Sequence, residues 1–168
     1  MKPETKKNKI ICIGNRLISE DAIAMAVYDL LVLQNLSPGI EIIEGGIAGL
    51  NLLGHLENAG NIVFVDTVSG FSENKIVVLN QKEIIDCLPT DDFHYGHDSA
   101  IAYLLSVLPM ACDTPLPDAV FLVGLEVKQC TRQGEDIDKI VEKAAAIGLE
   151  IARNGYVGEA ETCFHLKL

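Results

Sequence analysis

Positive charge is scarce in this chain: 13 lysines and arginines stand against 24 aspartates and glutamates, a formal net charge of -11. Such a chain repels phosphate backbones and anionic lipid heads unless it gathers a basic patch, and none is visible. Neither nucleic acid nor a membrane surface is expected as a partner. Long hydrophobic runs are missing too, since no stretch holds the roughly 18 apolar residues that a membrane span needs. Lys2, Lys6, Lys7 and Lys9 are followed only by Ile10, Ile11, Cys12 and Ile13 before Gly14. That run is too short for a signal peptide, and a cytoplasmic location is expected.

Paired cysteines are also lacking. Cys12, Cys87, Cys112, Cys130 and Cys163 form an odd set with no C-x-x-C spacing, which argues against a disulfide frame or a thiolate zinc site. Reduced, mostly buried structural thiols are expected. Cys12, Ile13 and Gly14 cannot serve as a G-x-G-x-x-G loop, and no P-loop occurs, so no nucleotide cofactor is expected. With no G-x-S-x-G elbow, and no evident His and Asn partners for the cysteines outside strand-like runs, nucleophilic hydrolysis has little support.

What the chain has is apolar material in alternating patterns. Its 168 residues are 49% hydrophobic and 22% charged. That suits one domain, which at this length buries roughly 70% of the surface of the unfolded chain. Residues 1–8 are expected to be a flexible N-terminal segment of that single domain, residues 1–168. Lys9 to Gly14 has the pattern of a buried strand ending in a turn. Ser19 is a candidate helix cap, Glu20 and Asp21 suit the positive dipole end, and Ile23, Val27, Leu30 and Leu31 recur at helical spacing to about Asn35.

Ile40 to Ile43 predicts a second strand, which Glu44, Gly45 and Gly46 turn into a helix of about Gly49 to Ala59. Asn61 to Val65 is nearly pure apolar, as in a strand covered on both faces, and ends abruptly in Asp66. Lys75 to Leu79 and Ala119 to Val127 predict further strands; His97 to Leu108 and Asp136 to Arg153 predict helices. The alternation predicts a three-layer α/β/α fold: a mostly parallel twisted sheet of about five strands with helices on both faces. Lys75 to Leu79 is expected to be antiparallel, because only a short link separates it from the strand before.

In such sheets ligands bind outside the carboxyl ends of the strands. Asp21 follows the first strand by a short loop, Asp66 terminates the third, and His97 opens the helix after the fourth, so all three can meet at one edge. Two carboxylates and an imidazole form an incomplete ligand set for a divalent transition metal. Each also has an ordinary reading: Asp21 as an acid satisfying the helix dipole, Asp66 as a turn cap, His97 as a helix-starting surface residue. His94 ranks below His97, and His55 and His165 are given no role.

Taken in order, these residues resemble the nickel-iron hydrogenase maturation endopeptidases. Cys12 to Ala24, CIGNRLISEDAIA, is similar to that family's opening strand, G-x-G-N loop and acidic pair. Glu44 to Leu53, EGGIAGLNLL, resembles its glycine-rich turn and helix; Ile62 to Asp66 its strand ending in aspartate; HDSAIAYLL its helix opened by histidine; and Phe121 to Gly124 its late strand. The similarity covers roughly Ile10 to Ile151. Cys12 and Ala24 stand where the family usually has glycine, Ile47 replaces a common threonine, and Leu125 to Gln129 lacks a proline-containing segment.

The resemblance implies that Asp21, Asp66 and His97 touch nickel contributed by the hydrogenase large-subunit precursor, whose C-terminal extension is removed after nickel insertion. Asn15, Gly45 and Gly46 are candidates for contact with the substrate tail. Two other readings stay open. A receiver-like domain would phosphorylate Asp66 and hold magnesium with Glu20 and Asp21, with Lys128 after the last strand. A nickel-binding maturation chaperone would use the same three ligands without cutting.

An imidazole must be neutral to ligate, so processing is expected to weaken as pH falls through roughly 6.5, the unperturbed histidine value. A pH series of precursor cleavage checks this, and activity unchanged well below that value would count against His97.

Overall fold

The structure, a computed structural model, describes residues 6–47, 49–69, 76–87, 97–126 and 137–156, with His97, Asp98 and Ser99 described by their backbone alone. The strands are β1 (Asn8–Ile13), β2 (Ile40–Gly46), β3 (Asn61–Val68), β4 (Ile76–Asn80) and β5 (Ala119–Glu126). The helices are α1 (Ala22–Val32), α2 (Leu53–Leu56), α3 (Gln81–Asp86), α4 (His97–Ala111) and α5 (Ile137–Asn154), with a 3-10 turn at Leu50–Leu52 before α2.

The strands form one sheet in the order β2-β1-β3-β5-β4. Pairing is parallel throughout except between β4 and β5. The predicted architecture of a mostly parallel sheet with helices around it is the one found.

Strand alternation divides the core. Ile10, Cys12, Val63, Val65, Val123 and Leu125 pack with α1 and α5, while Ile11, Ile13, Ile62, Phe64, Val68, Val77 and Leu122 pack with α2 and α4. The central strands are therefore apolar on both sides, as parallel strands under helices must be. α5 shows why a helix forms on that face: Ile140, Val141, Ala144, Ala145, Ile147, Gly148, Leu149, Ile151 and Ala152 recur at helical spacing and are all buried, while the charged residues face water.

Four local expectations are corrected. The helix expected over Gly49 to Ala59 is only the 3-10 turn followed by α2, because Gly54 and the extended Glu57 leave too few residues to sustain turns. β3 does not stop at Val65 but runs through Asp66 to Val68, since β5 pairs with it along that whole length. Asp21, not Ser19, occupies the N-cap of α1. β4 is antiparallel as expected, yet its partner is β5 and not the preceding strand: both edges of β3 are already taken by β1 and β5.

Helix α3 was not anticipated from the sequence, although its start carries a capping box. Asn80 Oδ1 accepts the Glu83 N–H at 3.1 Å, and Glu83 Oε2 accepts the Asn80 N–H at 2.8 Å. The N-x-x-E spacing is that signal. Substitution Asn80→Ala is expected to cost about 1 kcal/mol and to lower the melting temperature by roughly 2–4 °C. Thermal denaturation followed by circular dichroism measures it, and an unchanged midpoint would show that the box contributes nothing.

Candidate functional site at the carboxyl rim of the sheet

Because β1, β2, β3 and β5 are mutually parallel, their carboxyl ends Ile13, Gly46, Val68 and Glu126 open onto one rim. At the opposite rim the chain closes on itself through backbone bonds. Gly60 N–H donates to Lys7 O at 2.9 Å, Asp118 N–H to Gly60 O at 3.0 Å and Asn8 N–H to Gly39 O at 3.0 Å. The carboxyl rim is built differently.

There β1 and β2 lose register: Cys12 pairs with Glu44 but Ile13 with Gly46, leaving Gly45 as the extra residue of a bulge. A Cβ on Gly45 would stand 2.8 Å from Ile11 Cγ2, so only glycine permits this packing. Gly46 adopts φ +62°, the left-handed region that glycine enters without steric cost. Its carbonyl accepts the Gly14 N–H at 2.9 Å, and a Cβ at Gly46 would meet nothing within 4 Å. Gly45 is thus used for sheet packing, while Gly46 borders open space.

Gly14 sets the next contact. A Cβ there would lie 2.6 Å from the Asp21 carbonyl oxygen, so the missing side chain lets the start of α1 settle on the end of β1. The intervening loop is turned by Asn15, whose Oδ1 accepts the Leu17 N–H at 2.9 Å and whose carbonyl accepts the Ile18 N–H at 3.0 Å. Arg16 braces it from outside. Its guanidinium donates to both oxygens of Asp29 at 2.9 Å and to Glu44 Oε1 at 3.0 Å, and lies 5.8 Å over the Tyr28 ring. Those hydrogen bonds raise the Arg16 pKa and lower that of Asp29. Exposed pairs contribute little stability, but a bidentate network fixes direction.

Asp21 sits at the N-cap of α1 yet makes no side-chain cap bond. Its Oδ1 accepts a hydrogen bond from the Thr67 hydroxyl at 3.3 Å. Asp66 is only 2% exposed, and its Oδ1 accepts the Thr67 backbone N–H at 2.8 Å. Two of the three residues singled out from sequence thus converge on one threonine at the rim. His97 is the first residue of α4; its side chain lies outside the described residues. The backbone still places it. A helix of 15 residues rises about 22 Å at 1.5 Å per residue, and α4 ends shortly before β5 starts at the opposite rim, so its first turn returns to the carboxyl rim.

Glu126, which closes β5 and is fully buried, is a rim carboxylate that the sequence reading passed over. Its signal was the one that identified Asp66: an acid closing an apolar strand. Lys128 and His94 lie outside the described residues. Among the described residues no group of three or more His, Cys, Asp and Glu side chains could hold a metal ion, so the two aspartates offer only part of a ligand set. Large apolar side chains follow the strands on this rim: Leu17 and Ile18 on the loop after β1, and Ile47 and Leu50 after β2, are all exposed.

Comparison with known proteins places this site in context. No protein-family model matches the chain. Hydrogenase 2 maturation protease of Escherichia coli (strain K12) is 27% identical over 118 residues, 69% of this chain and 70% of that protein. The solved structure of the hydrogenase maturating endopeptidase HybD from E. coli superposes with a TM-score of 0.70 at 22% identity, covering 90% of this chain and 94% of its own. The [NiFe] hydrogenase maturation protease HybD from Thermococcus kodakarensis does so with a TM-score of 0.61 at 19% identity, over 87% and 99%. Both of these structures share this fold, and both carry the name of a hydrogenase maturation endopeptidase or protease, the family that the sequence resembles.

The described cysteines differ in how ready they are to react. Burial, with the charges of Asp29, Asp66 and Glu44 adding to it, pushes the Cys12 thiol up to about 12; burial likewise raises Cys112, which is half-buried. Cys87, contrary to expectation, is exposed. Alkylation of the native protein near pH 8 is therefore expected to label Cys87 and spare Cys12, because a raised pKa keeps the thiol protonated and only the thiolate attacks. Peptide mapping by mass spectrometry measures it, and rapid native labelling of Cys12 would overturn the assignment.

Proposed function

We propose that this chain is an endopeptidase that removes the C-terminal extension of a nickel-iron hydrogenase large-subunit precursor after nickel insertion. In this reading Asp21, Asp66 and His97 grip nickel that arrives with the precursor. The observation that carries it is the convergence of Asp21 and Asp66 on Thr67 at the carboxyl rim. The names of the relative and of the structural neighbours support the class of substrate.

The chemistry follows from an incomplete donor set. Two carboxylates and an imidazole leave coordination positions for thiolates or water supplied by the precursor, so the metal is recognised jointly. Nickel held between the two proteins positions the scissile segment and polarises either its carbonyl or an attacking water. Asn15 and Gly46 line the approach of the tail in this reading, Gly45 being taken up by sheet packing, and the exposed Leu17, Ile18, Ile47 and Leu50 suit a peptide better than a small polar ligand. No nucleotide takes part. The cytoplasm, where such a precursor would be assembled, is the location that goes with this role.

A nickel-binding chaperone that does not cut shares the same ligands and is separated by product alone. The receiver reading fares worse. Receivers order their strands 2-1-3-4-5, whereas this sheet runs β2-β1-β3-β5-β4 with an antiparallel edge.

Purified protein is expected to shorten a nickel-loaded precursor and to leave the nickel-free one intact. Asp66→Ala and His97→Ala are expected to slow cutting by at least ~100-fold, the scale of loss when a substrate is misplaced by about an ångström, while circular dichroism shows both variants folded. Equal cutting of the nickel-free precursor, or wild-type rates in both variants, would overturn the proposal.

A further inference from the structure

We propose that Thr67 is a positioning residue that holds the two carboxylates together for the metal, its hydroxyl bonded to Asp21 and its backbone N–H to Asp66. This rests on the reading of Asp21 and Asp66 as nickel-recognising groups.

Strand geometry makes the position special. Successive side chains point to opposite faces of a sheet. Asp66 shares its face with Phe64 and Val68, which pack with α4, and Thr67 shares its face with Val65 and Leu125, which pack with α1. The two acids thus reach the end of β3 from opposite sides. A single residue can touch both only if one contact comes from its backbone and the other from its side chain. Thr67 does this, at 2.8 Å and 3.3 Å.

Its own freedom is small. β5 pairs with β3 across Asp66↔Gly124, Thr67↔Leu125 and Val68↔Glu126, so the backbone of Thr67 is held by the ladder to β5, the ladder to β1 having ended at Val65. The residue is 7% exposed, and a β-branched side chain has few rotamers in a strand. Its hydroxyl therefore donates from a fixed point. The 3.3 Å separation is longer than the roughly 2.5–3.0 Å usual between a hydroxyl and an oxygen acceptor, so the contact is weak and orients the oxygen without anchoring it.

The consequence is chemical. An aspartate at an N-cap ordinarily turns its carboxylate back onto its own helix; Asp21 does not, and makes no cap bond. The Thr67 hydroxyl holds Oδ1 toward β3 instead. Partners behind metal-binding groups act in this way, and their loss typically weakens metal affinity or activity by about 10–100-fold. The ordinary alternative is a buried strand threonine that merely satisfies its own hydroxyl.

Two variants separate these. Thr67→Val keeps shape, burial and the backbone N–H but has no hydroxyl; Thr67→Ser keeps the hydroxyl. The readout is the affinity of the full-length protein for nickel-loaded and for nickel-free precursor, measured by calorimetry, with thermal denaturation alongside. For Thr67→Val the preference for the loaded precursor is expected to fall about 10-fold, with affinity for the nickel-free form and the melting temperature unchanged. Thr67→Ser is expected to restore most of that preference. If Thr67→Val keeps the wild-type preference, or loses affinity for both forms alike, or if Thr67→Ser is no better than Thr67→Val, the positioning role is wrong while the nickel reading stands. If wild type itself shows no preference, the nickel reading fails and the role of Thr67 falls with it.

Discussion

The architecture turns on how β3 ends. Its run Ile62 to Val65 is fully buried, and the next residue, Asp66, is a carboxylate only 2% exposed. Taking a carboxylate out of water costs several kcal/mol unless hydrogen bonds replace its hydration, so an acid here constrains everything around it. The Thr67 N–H supplies one such bond. Geometry supplies the room: pairing of β1 with β3 stops at Cys12↔Val65, while β5 continues to Glu126. Asp66 therefore lies just beyond the shorter neighbour and beside Gly124 of the longer one. Gly124 carries no side chain because a Cβ there would lie within 3 Å of Val77 and Val68.

The two ends of the sheet are put to different use. At the amino end, backbone bonds among Lys7, Gly39, Gly60 and Asp118 tie strands and connections directly, and the Lys6 ion pair with Asp118 adds a clasp. At the carboxyl end, three glycines shape the rim. Gly14 admits α1, Gly45 fills the bulge, and Gly46 turns the chain away. A side chain at Gly14 would push Asp21 outward and one at Gly45 would collide with β1, whereas Gly46 is needed for its positive φ. Rigidity returns through Arg16, whose fork joins the loop to α1 and β2 at once. A rim with bulk removed and direction fixed is the setting in which widely separated residues can share one ligand.

Much of this was legible in the chain because parallel strands under helices are apolar on both faces, a pattern that the runs over residues 10–13, 62–65 and 120–123 follow. Asp66 stood out for the same reason: an acid at the end of such a run has no place in a core. The parts that escaped are those decided by partners distant in sequence. The end of β3 is set by β5, and the neighbour of β4 by vacant edges. Thr67 could not be found at all from its surroundings in sequence, since a threonine after an aspartate reads as an ordinary strand residue. Its significance appears only when alternation sends it to the face where α1 begins. Asp21 was singled out by its place after the first strand, against the ordinary reading of an acid suited to a helix dipole. The dipole of α1 accounts for an acid there, but a capping role would have bound its carboxylate to its own helix.

Charge gives the last step. The chain carries -11 overall, and its carboxyl rim gathers Asp21, Glu44, Asp66 and Glu126, while Arg16, the basic side chain described there, is committed to Asp29 and Glu44. Like charges close together raise one another's cost most where water is excluded. In the reading proposed above, carboxylates on this rim gain from a cation that a partner brings, since among the described residues no group of three or more His, Cys, Asp and Glu side chains could hold one. Under the proposed reading this makes selectivity a matter of timing. A precursor without its metal offers the rim only a peptide, whereas a loaded precursor offers a positive charge together with further ligands, and only the second meets the carboxylates with a cation.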